Sequence, residues 1–324
     1  MISDNTISIL LFVLQGLLVI AIAPLLSGWL KIVTCRCQNR SAASLFQPYF
    51  AFCKLLIKTP VMAENASWLF RFAPYFYAAC LAVLAFVVPF FLYYGVLSPL
   101  FDVIVVAGIF ALARISMALA AMDVGTAFGS LGARRELFIA CLVEPVLLLV
   151  LLNLGLITKG LTLEHIGFVL IHKGILYPGL AFSLSAFVLV LLAENGRFPF
   201  DNPATHLELT MIHEAMILEY SGRYLALIEW GNSLKLTLFL LLFVNLFFPC
   251  GLAVQLSWGA LLTGLITTLV KLFVLLTLLA IAESLQAKVR LFRIPEYLGL
   301  ALFLALMGIL LTQLMVTQVT GVPI

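Results

Sequence analysis

The stretch 258–282, WGALLTGLITTLVKLFVLLTLLAIA, holds one ionisable side chain, Lys271, in an otherwise uncharged and mostly apolar run. A helix needs roughly 20 mostly apolar residues to cross a bilayer, so this segment reads as a membrane span. Outward from it, comparable runs occupy about 7–32, 73–95, 101–122, 137–158, 176–194, 235–256 and 297–319, which makes eight. Composition agrees: the chain is 64% hydrophobic and 10% charged, with a mean hydropathy of +1.19, whereas soluble domains carry about 25% charged residues. The runs are too long for the strands of an outer-membrane barrel. The expected fold is therefore all-α: a polytopic membrane protein of about eight transmembrane helices in a single domain, 1–324.

Asp4 precedes the first run, and no Lys or Arg does. A secretory leader opens on a basic region and has a shorter apolar core, so the first run is expected to be a retained helix. Basic residues set the orientation. Arg36, Arg40, Lys54, Lys58, Arg71, Arg134, Arg135, Arg197, Arg223, Lys288, Arg290 and Arg293 fall in the odd-numbered connections, whereas the other face offers Lys159 and Lys173. Positive residues accumulate on the cytoplasmic side, which places both termini outside. That bias accounts for the net charge of +3 without a nucleic-acid partner.

Two cytoplasmic connections are long. The first, 34–72, mixes Leu45, Phe46, Tyr49, Phe50, Phe52, Leu55, Leu56 and Ile57 with Lys54 and Lys58, a pattern that suits a helix lying in the interface or a docking surface for a soluble partner. Trp29, Trp68, Trp230 and Trp258 fall near expected span ends, where amphipathic rings anchor. The second connection, 195–233, is acidic. Between Glu194 and Gly222 lie Glu194, Asp201, Glu208, Glu214 and Glu219, five of the chain's 15 carboxylates. Ionisable groups at the edge of a bilayer core are costly unless paired or hydrated, so their default reading is functional. A solvated loop with inert carboxylates is the plainer alternative. His206 and His213 share a helix face but stand roughly 10 Å apart along it, too far to share a metal ion, and each suits a proton relay or a structural hydrogen bond.

Charges also fall within the spans or at their ends: Arg114, Asp123, Glu144 (followed by Pro145), Lys271 and Glu283. Unpaired, each would cost several kcal/mol, on the order of the lower insertion estimates, so they should face the bundle interior. One reading makes Glu144, Glu194 and the loop carboxylates Asp201, Glu208, Glu214 and Glu219 a hydrated proton-coupling route, with Arg114, Asp123, Arg197, Lys271 and Glu283 as charge partners. The other makes Arg114 and Lys271 neutralisers of fixed carboxylates in buried ion pairs. The six cysteines match no zinc or iron–sulfur spacing, and no phosphate-cradling or dinucleotide motif occurs. The chain is expected to bind no metal and no cofactor, so any redox chemistry belongs to partners.

Three motifs in the acidic connection resemble a known family. Arg197–Asp201 (R-F-P-F-D), Glu208-Leu209 and Glu219–Gly222 (E-Y-S-G) are similar to the signature of the NuoH/HyfC-type membrane subunit of complex I and of energy-converting membrane-bound nickel–iron hydrogenases. The longer run 201–222, DNPATHLELTMIHEAMILEYSG, resembles the hydrogenase-4-like and formate hydrogenlyase-like branch. Further matches are Asp123-x-Gly125-x-x-Phe128-x-x-x-Gly132-Ala133-x-Arg135-Glu136, Val143-Glu144-Pro145, Gln47-Pro48-Tyr49 and Ala282-Glu283-Ser284 before Arg290. The chain departs from the family in reading Arg40-Ser41-Ala42-Ala43, and in placing Ala204 and His206 where quinone-using members carry glutamates.

The resemblance implies a membrane-anchoring and coupling subunit, not itself catalytic, in the cell inner membrane. Hydrogenase-like large and small subunits would dock on the cytoplasmic side and carry the nickel–iron (NiFe) centre and iron–sulfur clusters. Antiporter-like membrane subunits would move H+ or Na+. It also implies a partner interface at Arg36, Arg40, Gln47, Arg134, Arg135, Glu136 and Arg290, with Glu229 a weaker coupling candidate. The equivalent subunit of a quinone- or sulfur-reducing complex I-like oxidoreductase stays open as an alternative, as does a free-standing secondary ion transporter.

Overall fold

The computed structural model describes residues 2–92, 102–173, 178–197, 212–253, 257–285 and 293–320. In chain order its helices are α1 (Ile2–Cys37), α2 (Gln47–Ile57), α3 (Trp68–Val87), α4 (Val103–Asp123), α5 (Ala127–Thr158), α6 (Leu163–Lys173), α7 (Pro178–Glu194), α8 (His213–Ile217), α9 (Gly222–Phe247), α10 (Trp258–Leu285) and α11 (Ile294–Thr320). Each expected span lies on a helix, so the chain is an all-α polytopic membrane protein. Seven of the eight are long and apolar enough to cross a bilayer. The exception, α7, is described over 17 residues. It packs against α5, α9 and α11.

Two expected spans are shifted for one physical reason. The runs at 73–95 and 235–256 continue apolar past the helix ends, yet α3 stops at Val87 and α9 at Phe247. Pro89 and Pro249 follow, and a proline disfavours helical geometry in the residue before it. Val88 is accordingly extended, with φ −75° and ψ 121°. The two unwound ends meet: the Ala253 N–H donates to the Phe91 carbonyl at 2.9 Å and Asn245 Nδ2 to the Pro89 carbonyl at 2.5 Å. Sequence polarity also hid the start of α9, which begins 13 residues before the expected span.

α9 is the hub of the bundle, in contact with α1, α2, α3, α6, α7 and α10. α10 packs on α1 and, more lightly, on α9, and so forms an edge. Trp29 ties α1 to α10: its Nε1 donates to Thr277 Oγ1 at 3.3 Å and its ring meets Phe273 edge-on. Trp68 and Trp258 are exposed near helix ends. α2 buries none of its residues completely. Tyr49 donates to the Ala21 carbonyl, Phe52 lies near Trp230, and Phe46, Phe50, Leu56 and Ile57 stay exposed. Burial pushes the Tyr49 phenol above its ordinary value.

The E-Y-S-G run fastens the second connection to the first. The Tyr220 ring stacks on Phe70 with centroids 4.0 Å apart, and its hydroxyl donates to the Phe70 carbonyl at 3.1 Å. Burial, then the negative charge of Asp123, pushes the Tyr220 phenol upward. Ser221 Oγ accepts from the Val61 N–H at 2.7 Å and donates to the Val61 carbonyl at 2.8 Å. Gly222 has φ +55°, and a Cβ there would stand 2.7 Å from the Lys58 carbonyl oxygen. Gly222→Ala should therefore destabilise the chain by about 1–3 kcal/mol, read as a lower thermal midpoint in detergent. An unchanged midpoint would show that the two connections are not locked at this point.

Candidate functional site

Six ionisable side chains from α4, α5, α7, α8 and α9 converge inside the bundle. Arg114, on α4 and 5% exposed, is the centre. Its Nε lies 3.4 Å from Glu136 Oε1, its Nη1 3.6 Å from Glu144 Oε1, and its Nη2 pairs with Glu194 Oε1. Glu194 Oε2 in turn meets Lys235 Nζ at 3.0 Å, and Glu136 Oε2 meets His213 Nδ1 at 3.0 Å. A guanidinium suits this centre because it offers five donors in a rigid plane, where an ammonium is a point charge.

Local structure explains the placement. Glu136 and Glu144 are eight residues apart on α5, a little over two turns, so both face α4. Glu194 is the last residue of α7. α8 reaches Glu136 because α5 carries Gly132 one turn earlier: a Cβ at Gly132 would stand 2.8 Å from Ala215 Cβ and 3.0 Å from the Ile212 carbonyl oxygen. The small pair Gly132-Ala133 thus lets α8 lie close enough for His213 to touch the carboxylate.

The ends of the cluster differ from its middle. Arg114, Glu136 and Glu194 are buried, whereas the side chains of His213 and Glu144 are 30% and 31% exposed. A continuous line of charged contacts therefore runs His213–Glu136–Arg114–Glu144 between two half-open groups, with Glu194 and Lys235 branching from its centre. Among the described residues, three glutamates set against Arg114 and Lys235 leave a formal charge of −1 with His213 neutral (+2 − 3). One proton on His213 brings the sum to zero. Buried charge without compensation is costly, so the cluster has a physical reason to take up one proton.

A protein-family model described as NADH dehydrogenase matches residues 8–315. The chain belongs to that family. Within it, the chain is 32% identical over 285 residues to formate hydrogenlyase subunit 4 of Escherichia coli (strain K12), covering 88% of this chain and 92% of that one. It is 34% identical over 298 residues to hydrogenase-4 component C of the same organism, covering 90% and 91%. A chain of the membrane-bound sulfane sulfur reductase, an archaeal respiratory membrane complex, superposes with a TM-score of 0.76 over 93% of this chain and 99% of that one. At 19% identity that likeness concerns the fold.

Against this family frame, the expected residues sort by position. Glu144, Glu194 and Arg114 come together as one group. Arg197 and Glu283 pair at 3.6 Å, apart from the cluster. Glu136 is 3% exposed, so it belongs to the interior and not to a partner interface. Arg36, Arg40, Gln47 and Arg134 are exposed and Arg135 is half-buried. Asp123 is no partner of Arg114; its carboxylate accepts from the Ser67 N–H at 2.9 Å and from Ser67 Oγ at 2.8 Å, at the start of α3. Lys271 donates to the Phe248 and Cys250 carbonyls, and no carboxylate among the described residues lies within ion-pair distance of it. Glu214 and Glu219 are half-buried and Glu229 is exposed, all outside the cluster. Asp201, Glu208, His206 and Arg290 lie outside the described residues. Sequence reasoning missed Lys235 as a site residue by taking it for a span end, and treated His213 as a relay or structural histidine without naming its partner.

Proposed function

We propose that this chain is the membrane-anchoring and coupling subunit of a complex I-like, ion-translocating membrane-bound nickel–iron hydrogenase complex in the cell inner membrane. It would hold no cofactor. The NiFe centre and iron–sulfur clusters would sit in hydrogenase-like large and small subunits docked on its cytoplasmic side, and antiporter-like subunits would lie beside it in the membrane. The observation that carries this reading is the line of charged contacts from His213 to Glu144, with a part-exposed side chain at each end and, among the described residues, a formal excess of one negative charge.

Its chemistry follows from charge balance. A change of charge or shape in the soluble arm would be felt first at α8 and the 195–233 connection, where His213 contacts Glu136. Protonation there neutralises the cluster, and loss of that proton restores a net negative charge around Arg114. Arg114 cannot release a proton, so the change at His213 would reach the half-open Glu144 through the electrostatic field of the cluster and bias proton exchange there with a neighbouring membrane subunit. The basic residues of the odd-numbered connections support a cytoplasmic face for the docked arm, with both termini outside. The same geometry would serve a non-hydrogenase complex I-like oxidoreductase, but relatives at 32% and 34% identity that carry hydrogenase names favour the first reading.

Gentle detergent purification is the direct test. A protein with two nickel-binding C-x-x-C pairs should co-purify, and its absence from an otherwise intact complex would turn the assignment towards the non-hydrogenase reading. In a background without native cysteines, one introduced at Thr317 should react with an impermeant thiol reagent from outside and one at Ala63 should not. Labelling of both from the same side would overturn the orientation.

A further inference from the structure

We infer that a transmembrane helix of another membrane subunit docks along α10 and presents a carboxylate to Lys271. This goes beyond the proposed function by placing one membrane partner, and it rests on that reading in assuming a multisubunit complex. Lys271 lies 13 residues from Trp258 and 12 from Glu283 on a 28-residue apolar helix, about 18–20 Å from either reference point at the helical rise. Exposed apolar residues bracket it on both sides: Leu262, Ile266 and Val270 before it and Val274, Leu278 and Ile281 after it. Spaced mostly four residues apart, they form one stripe along α10, and Lys271 stands at the margin between that stripe and the face that packs on the bundle.

The lysine is only partly provided for by its own chain. An ammonium has three donors. Two reach the Phe248 and Cys250 carbonyls, freed where α9 unwinds before Pro249, with Nζ 2.8 Å from the Phe248 oxygen. Carbonyls satisfy donors but leave the positive charge uncompensated, and among the described residues no Asp or Glu lies within ion-pair distance. A lysine at this depth facing lipid is costly unless its charge is paired. A carboxylate from a neighbouring helix would supply both the missing charge and an acceptor for the third donor. An exposed apolar stripe beside an uncompensated cation, on the edge helix of the bundle, fits a partner helix that is apolar with one acidic residue at matching depth.

The test uses the native complex. Membranes are treated with dicyclohexylcarbodiimide, which enters the bilayer and activates buried carboxylates; a neighbouring amine then displaces the urea and forms an amide. Peptide mass spectrometry should find Lys271 linked to an Asp or Glu of a different membrane subunit. In complexes purified in mild detergent, Lys271→Glu should deplete that same subunit at least tenfold while Lys271→Arg retains it. Lys271 recovered unlinked, linked only within its own chain or to a second copy of it, or modified by an impermeant amine reagent added from outside, would overturn the inference. The cross-link reads contact in unaltered protein, so a folding defect in a variant cannot imitate it. It is also independent of ion pumping and of hydrogenase co-purification, so failure here leaves the proposed function standing, and failure there leaves a positive cross-link intact.

Discussion

Arg114→Met should be the most damaging single substitution in this chain, with a loss of about 3–5 kcal/mol, the range for removing one partner of a buried ionic group. The guanidinium is the common partner of Glu136, Glu144 and Glu194, and both it and two of those carboxylates are buried. Without it, Lys235 and His213 remain to face three negative charges. The expected readout is a sharply lower thermal midpoint in detergent and little assembled complex in the membrane. Arg114→Lys should be intermediate, because one ammonium keeps the charge but cannot spread donors to three carboxylates on two helices. An unchanged midpoint for Arg114→Met would show that the cluster is not held by its central cation.

Glu194→Gln should separate coupling from assembly. The glutamate bridges Arg114 and Lys235, and glutamine keeps its size and most of its hydrogen-bonding capacity without its charge. With one carboxylate fewer, the remaining two are balanced by Arg114 and Lys235 (+2 − 2), and the reason to hold an exchangeable proton disappears. Under the proposed function, ion translocation linked to turnover should fall at least tenfold, while the complex assembles and an artificial-donor hydrogenase assay confined to the proposed soluble arm is nearly unchanged. Glu144→Gln should do the same, since it removes the half-open end of the line. Glu219→Gln should be milder, because Glu219 lies outside the cluster in a motif whose Tyr220, Ser221 and Gly222 act as fasteners. Normal translocation in both Glu194→Gln and Glu144→Gln would make the cluster a structural ion-pair network.

Much of the architecture is legible from composition, because apolar runs of this length have few alternatives in a bilayer: a backbone that cannot bond to lipid must bond to itself. That reasoning places a helix at each of the eight expected spans, and it marks Arg114, Glu144 and Glu194 as charges that need company. It fails where a local rule overrides hydropathy. Val88-Pro89 and Phe248-Pro249 end helices inside apolar runs, and the polar first turns of α9 conceal thirteen helical residues before Lys235.

What sequence by itself determined is therefore the class of fold, the family signature and the list of costly charges, since each follows from residue type and local spacing. Only the tertiary structure decided which charges meet. Arg114 lies 22 residues from Glu136 and 80 from Glu194 in the chain, and their contact depends on how α4, α5 and α7 pack. The same packing turns Glu136 inward, brings His213 to it across Gly132, and draws Lys235 into the cluster. It leaves Asp123 to the start of α3 and Lys271 to the carbonyls of an unwound helix end. Spacing along one helix reports a shared face, but pairing between helices depends on side-chain volumes such as that of Gly132, which set how closely two backbones approach.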